Sequence, residues 1–597
     1  MPRLWLVAVA VMLLASMGSV GAGNSTTQAA PSRSAERGRS TPEPQRALSG
    51  VLQPGMVVHA QPGTPTPAPN AASQACTATR HKIEPPIAVS GHASRPEHPL
   101  REGAQPNSDQ VLVPDTSPGL GAPLPDPKHT PPPLPEDPRR LTLFRDTTVP
   151  ITTGKSLAVA EPSTDQLGRD IFATGNKHAE FSRDNGRIWQ GLNPYTIFGP
   201  DFCCDQVTVA DPQYHLQDWV LQYIHFTEPQ IPGGGHLVMA TSPSGDFINW
   251  RPYTIRPSDV GYANDQNDFD FNDLVIGSRY LYLTTRLITY PPPGDEGYRV
   301  VAVVLMRISR ADLAAGLPAY YDAITRTDIT EELRVPQGIT DIAYAAATSL
   351  RTGEGRVVRL LVWPKQSMWV TTVDRLVPPF RYMTHDDPAM TADCGSRDHV
   401  VANWCSYRTS GAVTAARGGD YLWLTWPAQQ YGTRRPFPYV RITGIREKDL
   451  RVAVSHDLYG LTVAHAYQAV ATDERGNLGL IDAYGGGGGG NDYFPGAMIA
   501  IFDNLKFKLA SPRVDYFLPG KGNSCLYEPG TSFEGNWGDF LTIRRWHAGG
   551  AVWLATAFAR KDNTPIQCGQ QSVPMTIKNI VFGWKSDRRF YERAVRS

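Results

Sequence analysis

The stretch Ser182-Arg183-Asp184-Asn185-Gly186-Arg187-Ile188-Trp189 decides the fold of this chain. Its spacing is Ser-x-Asp-x-Gly-x-x-Trp, and it lies among short runs rich in Val, Ile, Leu, Tyr, Trp and Thr. From about Leu141 onward, such runs are broken every few residues by Gly, Pro, Asn or Asp. Because that texture is typical of strands joined by tight turns, the sequence predicts an all-β domain.

The spacing of this stretch resembles the Asp-box hairpin (BNR repeat) of sialidase-like β-propellers. The resemblance implies that the Asp184 side chain accepts hydrogen bonds from the hairpin backbone and that Gly186 adopts a positive φ angle. It also implies that Trp189 wedges between neighbouring blades. All three roles are architectural, so the resemblance predicts a fold and not a reaction. A second stretch, Thr241–Trp250, keeps a Ser, an Asp and the late Trp at altered spacing and supports repetition.

The strand-like runs group into seven recurrent units, each with material for four strands. The units begin near residues 155, 205, 270, 341, 400, 465 and 536, about 65 residues apart. This period favours a seven-bladed β-propeller, with six blades as the alternative. Residues Leu141–Arg145 are expected to supply a strand to the last blade. Ser309–Gly316 is the one predicted helix, with Ser309 as its N-cap and Gly316 as its stop.

The first 140 residues have a different character from the rest. Met1–Arg3 is basic, Leu4–Leu14 is almost entirely apolar and Ser16–Gly23 is built of small residues, which is the pattern of a secretory signal peptide. The apolar run is shorter than the roughly 20 residues that cross a bilayer, so export without a retained anchor is predicted. Residues 24–140 are rich in Pro, Ser, Thr, Gly and Ala and predict a disordered linker or stalk. The predicted domains are therefore a signal peptide (1–23), a linker (24–140) and a propeller (141–597).

The charge balance restricts the partners. The chain has 57 basic and 57 acidic residues, so its formal net charge is zero and its bulk electrostatics recruit neither nucleic acid nor an anionic membrane. We expect an extracellular glycan or a surface protein as the partner.

Seven cysteines in an exported chain are interpreted as disulfide partners rather than metal ligands, and the odd number leaves at least one unpaired within the chain. Cys394 and Cys405 flank a short segment and are predicted to bond, as are Cys525 and Cys568. The remaining three leave two alternatives open, a vicinal bond between Cys203 and Cys204 or a bond from one of them to Cys76.

Candidate site residues lie where innermost strands begin, because a propeller presents these positions to one end of its central channel. The candidate catalytic residues are Asp205, Asp270, Asp341, His465 and Asp539. The candidate substrate-binding residues are Gln206, Arg286 and Asn536. A ring of acids suits a cation or acid–base chemistry on a sugar polymer, whereas the structural alternative is that each Asp accepts backbone hydrogen bonds from its own loop.

Three further patterns in the sequence bear on its chemistry. Asp268, Asp270 and Asn272 alternate as calcium ligands do, but the Gly and distal Glu of an EF-hand loop are missing, so a solvated acidic loop is the alternative and no cofactor is required. Arg286, Arg299 and Arg544 are candidates to converge on a carboxylate, with surface positions as the alternative. The six glycines from Gly485 to Gly490 lie in β-like surroundings, which favours an inter-strand loop over a phosphate cradle.

The family resemblance implies catalytic groups that this chain does not supply. Sialidases use an arginine triad, a Tyr–Glu nucleophile pair, an acid/base Asp and an early Arg-Ile-Pro motif. The nearest match, Phe144–Pro150, has its Arg and Pro at another spacing, and no Tyr–Glu pair is assignable. We therefore expect a secreted propeller that binds extracellular carbohydrate at the channel mouth. If it is an enzyme, it is a glycoside hydrolase or polysaccharide lyase, and the alternative is a non-catalytic scaffold for protein or cell-surface adhesion.

Overall fold

The computed structural model describes the folded body of the chain and two short segments before it. The described residues are 44–67, 123–128, 137–152, 156, 159–199, 202, 204–223, 234–289, 299–338, 341–350, 356–383, 394, 404–405, 410–429, 434–486, 493–503, 512–526, 535–538, 540–547, 550–566 and 573–596. The predicted signal peptide lies outside them, as does the part of the predicted linker from residue 68 to residue 122.

Seven antiparallel sheets make up the fold, which confirms the predicted all-β, seven-bladed β-propeller. In the first three blades the strands run outward from a central channel in chain order. The strands of these blades are β6 (Ser163–Leu167), β7 (Asp170–Gly175), β8 (His178–Ser182) and β9 (Ile188–Leu192); β10 (Gln206–Asp211), β11 (Leu216–Tyr223), β12 (His236–Pro243) and β13 (Asn249–Ile255); and β14 (Asn267–Ile276), β15 (Tyr280–Thr289), β16 (Arg299–Ser309) and β17 (Ala319–Arg326).

The fifth, sixth and seventh blades repeat this order, and a two-stranded ribbon precedes the seventh. Their strands are β21 (Thr414–Gly418), β22 (Tyr421–Ala428), β23 (Tyr439–Arg446) and β24 (Arg451–Leu458); β25 (Ala464–Thr472), β26 (Leu478–Gly486), β27 (Tyr493–Phe502) and β28 (Arg513–Leu518); the ribbon β29 (Cys525–Leu526) and β30 (Gly535–Asn536); and β31 (Thr542–Arg545), β32 (Trp553–Arg560) and β33 (Met575–Trp584). Gly485 and Gly486, predicted as part of a loop, therefore belong to β26.

The fourth blade departs from this order. Its regular strands are β18 (Ile342–Ala347), β19 (Val357–Pro364) and β20 (Trp369–Leu376), and an irregular segment, residues 329–337, lies inside them. Within that segment Arg334 pairs antiparallel with Ala346, and Gln337 pairs parallel with Ala416 of the fifth blade. The segment thus takes the place of the innermost strand, and the predicted start of this unit near residue 341 is wrong by one strand.

Residues 44–67 run around the rim of the propeller, and we call them the strap. The strap places one outer strand on each of four successive blades, from the fourth back to the first. Its strands are β1 (Gln45–Arg46) on β20, β2 (Leu48–Leu52) on β17, β3 (Val58–His59) on β13 and β4 (Thr66–Pro67) on β9. The linker prediction does not hold for this stretch, because an edge strand needs backbone N–H and C=O groups more than it needs large apolar side chains.

The last blade is closed by a strand from before the first blade, as predicted. Strand β5 (Leu141–Val149) pairs antiparallel with β33 and is longer than the expected Leu141–Arg145. Because β5 leads directly into the first blade, this pairing joins the two ends of the ring.

The apolar core is divided among the junctions between blades. Separate clusters of buried side chains lie between the first and second, second and third, third and fourth, fourth and fifth, and fifth and sixth blades, and one larger cluster joins the sixth, seventh and first. Each blade therefore buries both faces, which is why strands such as β16 and β22 are almost continuously apolar.

The hairpin between β8 and β9 has the geometry expected for its sequence. Asp184 Oδ1 accepts hydrogen bonds from the backbone N–H groups of Arg187 and Ile188 at 3.0 and 2.9 Å, and Gly186 has a φ of 82°. The Trp189 indole donates to the Gly186 carbonyl at 3.1 Å and lies fully buried in the cluster shared with the seventh blade. In the second stretch, Trp250 repeats this contact by donating to the Phe247 carbonyl at 3.0 Å.

The helices are short. They span Pro194–Phe198, Arg310–Ala315 and Arg588–Arg596, with 3₁₀ turns at Pro257–Val260 and Lys585–Asp587. The predicted helix is confirmed, since Ser309 caps it by accepting from the Asp312 N–H and Gly316 ends it in the left-handed conformation. Across the described part of the chain, no helix is long and apolar enough to cross a membrane.

One predicted disulfide is confirmed directly. Cys394 and Cys405 are bonded, with their Cα atoms 5.9 Å apart. Cys204 and Cys525 each take part in a separate disulfide bond, whose other cysteine lies outside the described residues. The predictions for Cys76, Cys203 and Cys568 fall outside the described residues.

Candidate functional site

A central channel runs between the seven blades and contains two cavities. Its walls are the innermost strands β6, β10, β14, β21, β25 and β31 together with the irregular segment of the fourth blade. We call the end at which these strands begin the mouth and the end at which they finish the exit. Two cavities, of about 50 Å³ toward the mouth and about 160 Å³ toward the exit, share Gln337 and Arg544 in their walls. We call them the upper and lower cavities.

Gln337 crosses the channel between these cavities. Its side-chain Nε2 donates to the Ile543 carbonyl of the seventh blade at 2.8 Å, and it lies 3.5 Å from the Val470 carbonyl of the sixth. Because one side chain spans from the fourth blade to the opposite wall, the channel is divided and a polymer cannot thread through it.

A β-bulge shapes the wall of the upper cavity. The register of β14 shifts between Asp270 and Asp273, and Phe271 within the bulge has a φ of 59°. A positive φ is unfavourable for a bulky aromatic residue and needs surrounding contacts to hold it. Those contacts are the guanidinium groups of Arg286 and Arg334, at 4.8 and 4.6 Å from the Phe271 ring centre. The bulge turns both Asn272 and Asp273 toward the channel.

Two of the predicted residues, Asp270 and Arg286, meet above this bulge. Arg286 Nη2 donates to Asp270 Oδ2 at 2.6 Å, and both side chains remain about 15 % exposed. Gln222 Nε2 lies 3.3 Å from the other Asp270 oxygen. The pair is therefore held in place beside the mouth, with each charge already balanced.

Asn272, Asp273 and Arg544 form a second group deeper in the channel, which we call the waist cluster. Arg544 Nη2 lies 3.9 Å from Asp273 Oδ1, which is too far for a hydrogen bond. Arg544 Nε and Nη2 are buried without a hydrogen-bond partner among the described residues, and so are both amide atoms of Asn272. The side chain of Arg544 is only 7 % exposed, and buried polar groups are rarely left unpaired. The waist cluster therefore has unpartnered donors and acceptors that suit hydrogen bonds to a molecule inside the channel.

Arg334 was not anticipated by the sequence analysis. It forms an ion pair of 3.4 Å with Glu332 and lines the upper cavity from the irregular segment. Its neighbours Leu333 and Val335 are buried between the third and fourth blades. In the sequence, only this alternation of apolar and polar residues over a few positions indicates that Arg334 faces the channel, and the alternation is too short to identify a strand.

Gln206 and Asp268 are engaged inside the protein. Gln206 donates to the Gly175 and His178 carbonyls at 2.7 and 3.1 Å and accepts from the Trp219 indole at 2.9 Å, so it joins the first two blades. Asp268 accepts from the Gly235 N–H at 2.7 Å. Asp205, next to Gln206, is buried as well.

The predicted position of Asp341 at the mouth is wrong. It precedes β18, which runs antiparallel to the innermost segment of its blade, so its position is at the exit and not at the mouth. There it forms an ion pair with Lys365 at 2.5 Å and lies 3.3 Å from the Ser278 hydroxyl, beyond the end of β14. The inference from sequence failed because it took β18 for an innermost strand.

His465 begins the innermost strand of the sixth blade but does not reach the channel. It is fully buried, and its Nδ1 lies 2.7 Å from Asp482 Oδ2. Burial raises the pKa of Asp482 to about 6, while the bond to His465 opposes that rise. Gln468 is also buried and donates to the Ala412 carbonyl at 2.9 Å.

The remaining predicted residues are Arg299, Asn536 and Asp539. Arg299 is exposed at the start of β16, two strands from the channel, so it does not converge with Arg286 and Arg544. Asp539 and the side chain of Asn536 lie outside the described part of the structure. Within the described residues no group of three or more His, Cys, Asp or Glu side chains is placed to hold a metal ion.

A buried aromatic cluster packs beside the innermost strand of the sixth blade. Trp404, beside the Cys394–Cys405 disulfide, lies 5.8 Å from Tyr467 and 6.2 Å from Trp537. Tyr467 lies in a bulge of β25, with a φ of 60°, and donates its hydroxyl to the Trp404 carbonyl at 2.8 Å. Trp404, next to the disulfide, is thereby fixed to the innermost strand.

No protein-family model matches the chain, and no curated protein matches it. Three solved structures illustrate what it is similar to. The α-L-arabinanase of Penicillium chrysogenum has 10% identity and a TM-score of 0.32, with 74% of this chain and 97% of that chain covered. The NanB sialidase of Streptococcus pneumoniae has 10% identity and a TM-score of 0.34, with 58% and 67% covered. An exo-β-1,3-galactanase of Phanerochaete chrysosporium has 9% identity and a TM-score of 0.26, with 73% and 95% covered. Likeness at this level carries no argument about the site.

Proposed function

We propose that this chain is an exported propeller that binds extracellular carbohydrate at the mouth of its central channel. The observation that carries the proposal is the waist cluster, where buried donors and acceptors that lack partners face one small cavity. Sugar hydroxyl groups donate and accept at once, and they need this mixture of groups in their site. Phe540, partly exposed in the wall of the same cavity, supplies an apolar surface beside the polar groups.

Binding is favoured over catalysis by the state of the carboxylates. Asp270 is balanced by Arg286, Asp268 is held by a backbone N–H, and His465 is buried against Asp482. A glycosidase of the usual kind needs two carboxyl groups that flank the scissile bond. Asp273 is the carboxylate of the upper cavity that is best placed for such a role, with a side chain 25 % exposed. Hydrolysis or lysis is therefore a secondary expectation.

The hairpin from Ser182 to Trp189 supports assignment to the Asp-box propellers. Its Asp, Gly and Trp make the contacts that the resemblance implies, and the Thr241–Trp250 hairpin repeats the indole-to-carbonyl bond in the next blade. These contacts are architectural, so they support the fold of the proposed binder. The channel residues, and not this hairpin, would select its ligand.

The test is a glycan array and a panel of polysaccharides probed with the full chain. We expect saturable binding to a subset of neutral glycans, and product analysis of the same panel reports any turnover. The double variant Asp270→Ala/Arg286→Ala should weaken binding. The matched control is Asp137→Ala/Arg513→Ala, which removes an ion pair of 3.3 Å on the outer rim. The absence of binding on the array and of turnover on the panel would reject carbohydrate as the ligand.

Adhesion through the rim is the second candidate, and one surface favours it. Val51 of the strap and Tyr320 of β17 lie opposite each other in the register and form an exposed apolar patch on the outer edge of the third blade, with Tyr320 67 % exposed. Contiguous exposed apolar patches mark protein contacts. If the array is silent and a Val51→Lys/Tyr320→Lys variant loses attachment to cell surfaces that the parent retains, the scaffold function replaces carbohydrate binding.

Export and calcium binding remain predictions. Sequencing the N terminus of the secreted product would test whether cleavage follows Gly23. Calorimetric titration of the full chain with calcium would test the ligand pattern of Asp268, Asp270 and Asn272. The absence of heat at millimolar concentration would reject calcium binding.

A further inference from the structure

The unpartnered atoms of the waist cluster have a definite geometry. Nε and Nη2 of Arg544 lie along one edge of a planar guanidinium group, and together they form a fork that suits two adjacent oxygen atoms. Asn272 faces the same cavity with an unpartnered NH₂ donor and an unpartnered carbonyl acceptor. Asp273 adds a carboxylate whose Oδ1 lies 3.9 Å from Arg544 Nη2 and accepts from the Leu274 N–H at 2.9 Å. The cluster therefore offers donors for two oxygens and acceptors for their hydrogens.

The size of the upper cavity limits what can enter it. Its volume is about 50 Å³, and a site needs at least roughly 10–15 Å³ to hold one water molecule. A fragment of a few heavy atoms fits, such as two neighbouring carbons with their hydroxyl groups, but a complete sugar ring does not. Because Gln337 closes the path toward the exit, the fragment must be the end of a chain that enters from the mouth.

Charge decides between a hydroxyl ligand and an anion. Asp273 already supplies a negative charge beside the buried Arg544 fork, and charges on partly buried side chains interact more strongly than charges in bulk water. A second anion would be repelled by that carboxylate and would leave the Asn272 carbonyl without a donor. Two hydroxyl groups would accept from Arg544 Nε and Nη2 and from Asn272 Nδ2, and would donate to Asp273 and to Asn272 Oδ1, which satisfies the four unpartnered atoms of the cluster.

We infer that the upper cavity binds the vicinal diol of an uncharged terminal sugar, so that the protein recognises glycan ends and not internal residues. This inference rests on the proposed carbohydrate function and adds the class of sugar and the group that enters. The remainder of the sugar ring lies at the mouth, near Phe540 and the pair of Asp270 and Arg286.

The direct experiment is titration of the full chain with D-galactose, glycerol, D-glucuronate and inorganic phosphate, followed by ligand-observed NMR. We expect weak saturable binding of D-galactose and glycerol, no tighter binding of D-glucuronate than of D-galactose, and no binding of phosphate. Arg544→Lys keeps the charge and removes the fork, and Asn272→Leu removes both amide atoms at similar size. Each should weaken D-galactose binding on the order of tenfold. Arg513→Lys, on the outer rim, should leave it unchanged.

Several results would overturn the inference. Preferred binding of phosphate or D-glucuronate through Arg544 would identify an oxyanion site. The absence of saturable binding by D-galactose and glycerol would mean that the cluster holds only water. Melting temperatures of both variants separate lost binding from lost folding, and Arg544→Lys remains informative if Asn272→Leu unfolds. If array binding persists unchanged in Arg544→Lys but is lost in Asp270→Ala/Arg286→Ala, the mouth binds glycans without the diol site, so the proposed function stands while this inference fails.

Discussion

Single side chains close the hairpins and seal the blade junctions of this propeller. Asp184 replaces the water that would otherwise bond to two backbone N–H groups, and Trp189 fills the gap between the first and seventh blades. Gln206 has a similar architectural role, because it joins the first two blades through three hydrogen bonds. A structural role at the channel wall is thus compatible with residue types that also bind ligands.

Asp184→Ala should destabilise the hairpin. Two N–H groups lose their acceptor, which is expected to cost about 1–2 kcal/mol of unfolding free energy because both are near solvent and partly recover hydrogen bonds to water. Thermal melting of the purified variant measures the change. Asp246→Ala is the comparison, since Asp246 accepts from one backbone N–H, at 3.2 Å, and from the Asn249 side chain, at 2.7 Å, so it should leave fewer backbone groups without an acceptor and cost less. Equal melting temperatures for the parent and Asp184→Ala would contradict the assigned role.

Asp482 should make stability depend on pH. Burial raises its pKa from 3.8 to about 6, so between these values the folded chain holds a proton that the unfolded chain has released. The contribution of Asp482 to unfolding free energy therefore falls as pH rises from about 4 to 6, by on the order of 2 kcal/mol. Asp482→Asn removes this titration. Melting curves across that pH range should show a smaller loss for the variant, and parallel curves would refute the buried titration.

At the scale of elements, bulges and irregular strands place the chemistry. The bulge at Phe271 presents two successive polar residues to the channel, which a regular strand cannot do. The segment from 329 to 337 brings Arg334 and Gln337 to positions that the regular strands leave open. These departures from regular pairing build the upper cavity.

The Cys394–Cys405 bond should stabilise the loop that bears Trp404. Replacing both cysteines with alanine is expected to cost about 2–3 kcal/mol, because an 11-residue separation is no longer closed in the unfolded chain. It should also loosen the packing of Trp404 on Tyr467. Melting and tryptophan fluorescence of the double variant measure both effects, and reduction of the parent provides a comparison. Unchanged fluorescence would show that the bond does not position Trp404.

At the scale of the whole molecule, the strap and β5 hold the ring from outside. Four blades receive their outermost strand from the strap, and the seventh receives its strand from β5. Without the strap, four edge strands would present unpaired backbone groups to solvent, which invites pairing with other chains. The propeller is therefore larger in sequence than the domain predicted from residue 141 onward.

A chain shortened to begin at residue 68 should melt several degrees lower than the parent and form oligomers. A chain that begins at Pro42 keeps the strap and should behave as the parent does. Melting curves and light scattering after size exclusion distinguish the two. A monomeric chain from residue 68 with parental stability would show that the strap is dispensable.

Much of the architecture was predictable because it depends on local sequence patterns. Alternating and continuous apolar runs identified the strands, and Ser309 and Gly316 marked a helix through capping chemistry that depends on a few neighbouring residues. The pairing of Cys394 with Cys405 follows from short separation in sequence. The site was less predictable, since Arg334 lies in a segment without strand periodicity and Asp341 begins the wrong strand of its blade.

The sequence by itself predicted the all-β class, a repeat that favours seven blades over six, the closing strand from Leu141 and the architectural hairpin around Asp184, and the structure has these features with seven blades. Only the tertiary structure decided which polar residues meet. Asn272 and Asp273 come from the third blade and Arg544 from the seventh, and Gln337 of the fourth blade reaches across the channel to the sixth and seventh. Hydrophobic period and turn chemistry act over a few residues, whereas the closure of a ring sets the distances between side chains that local patterns cannot relate.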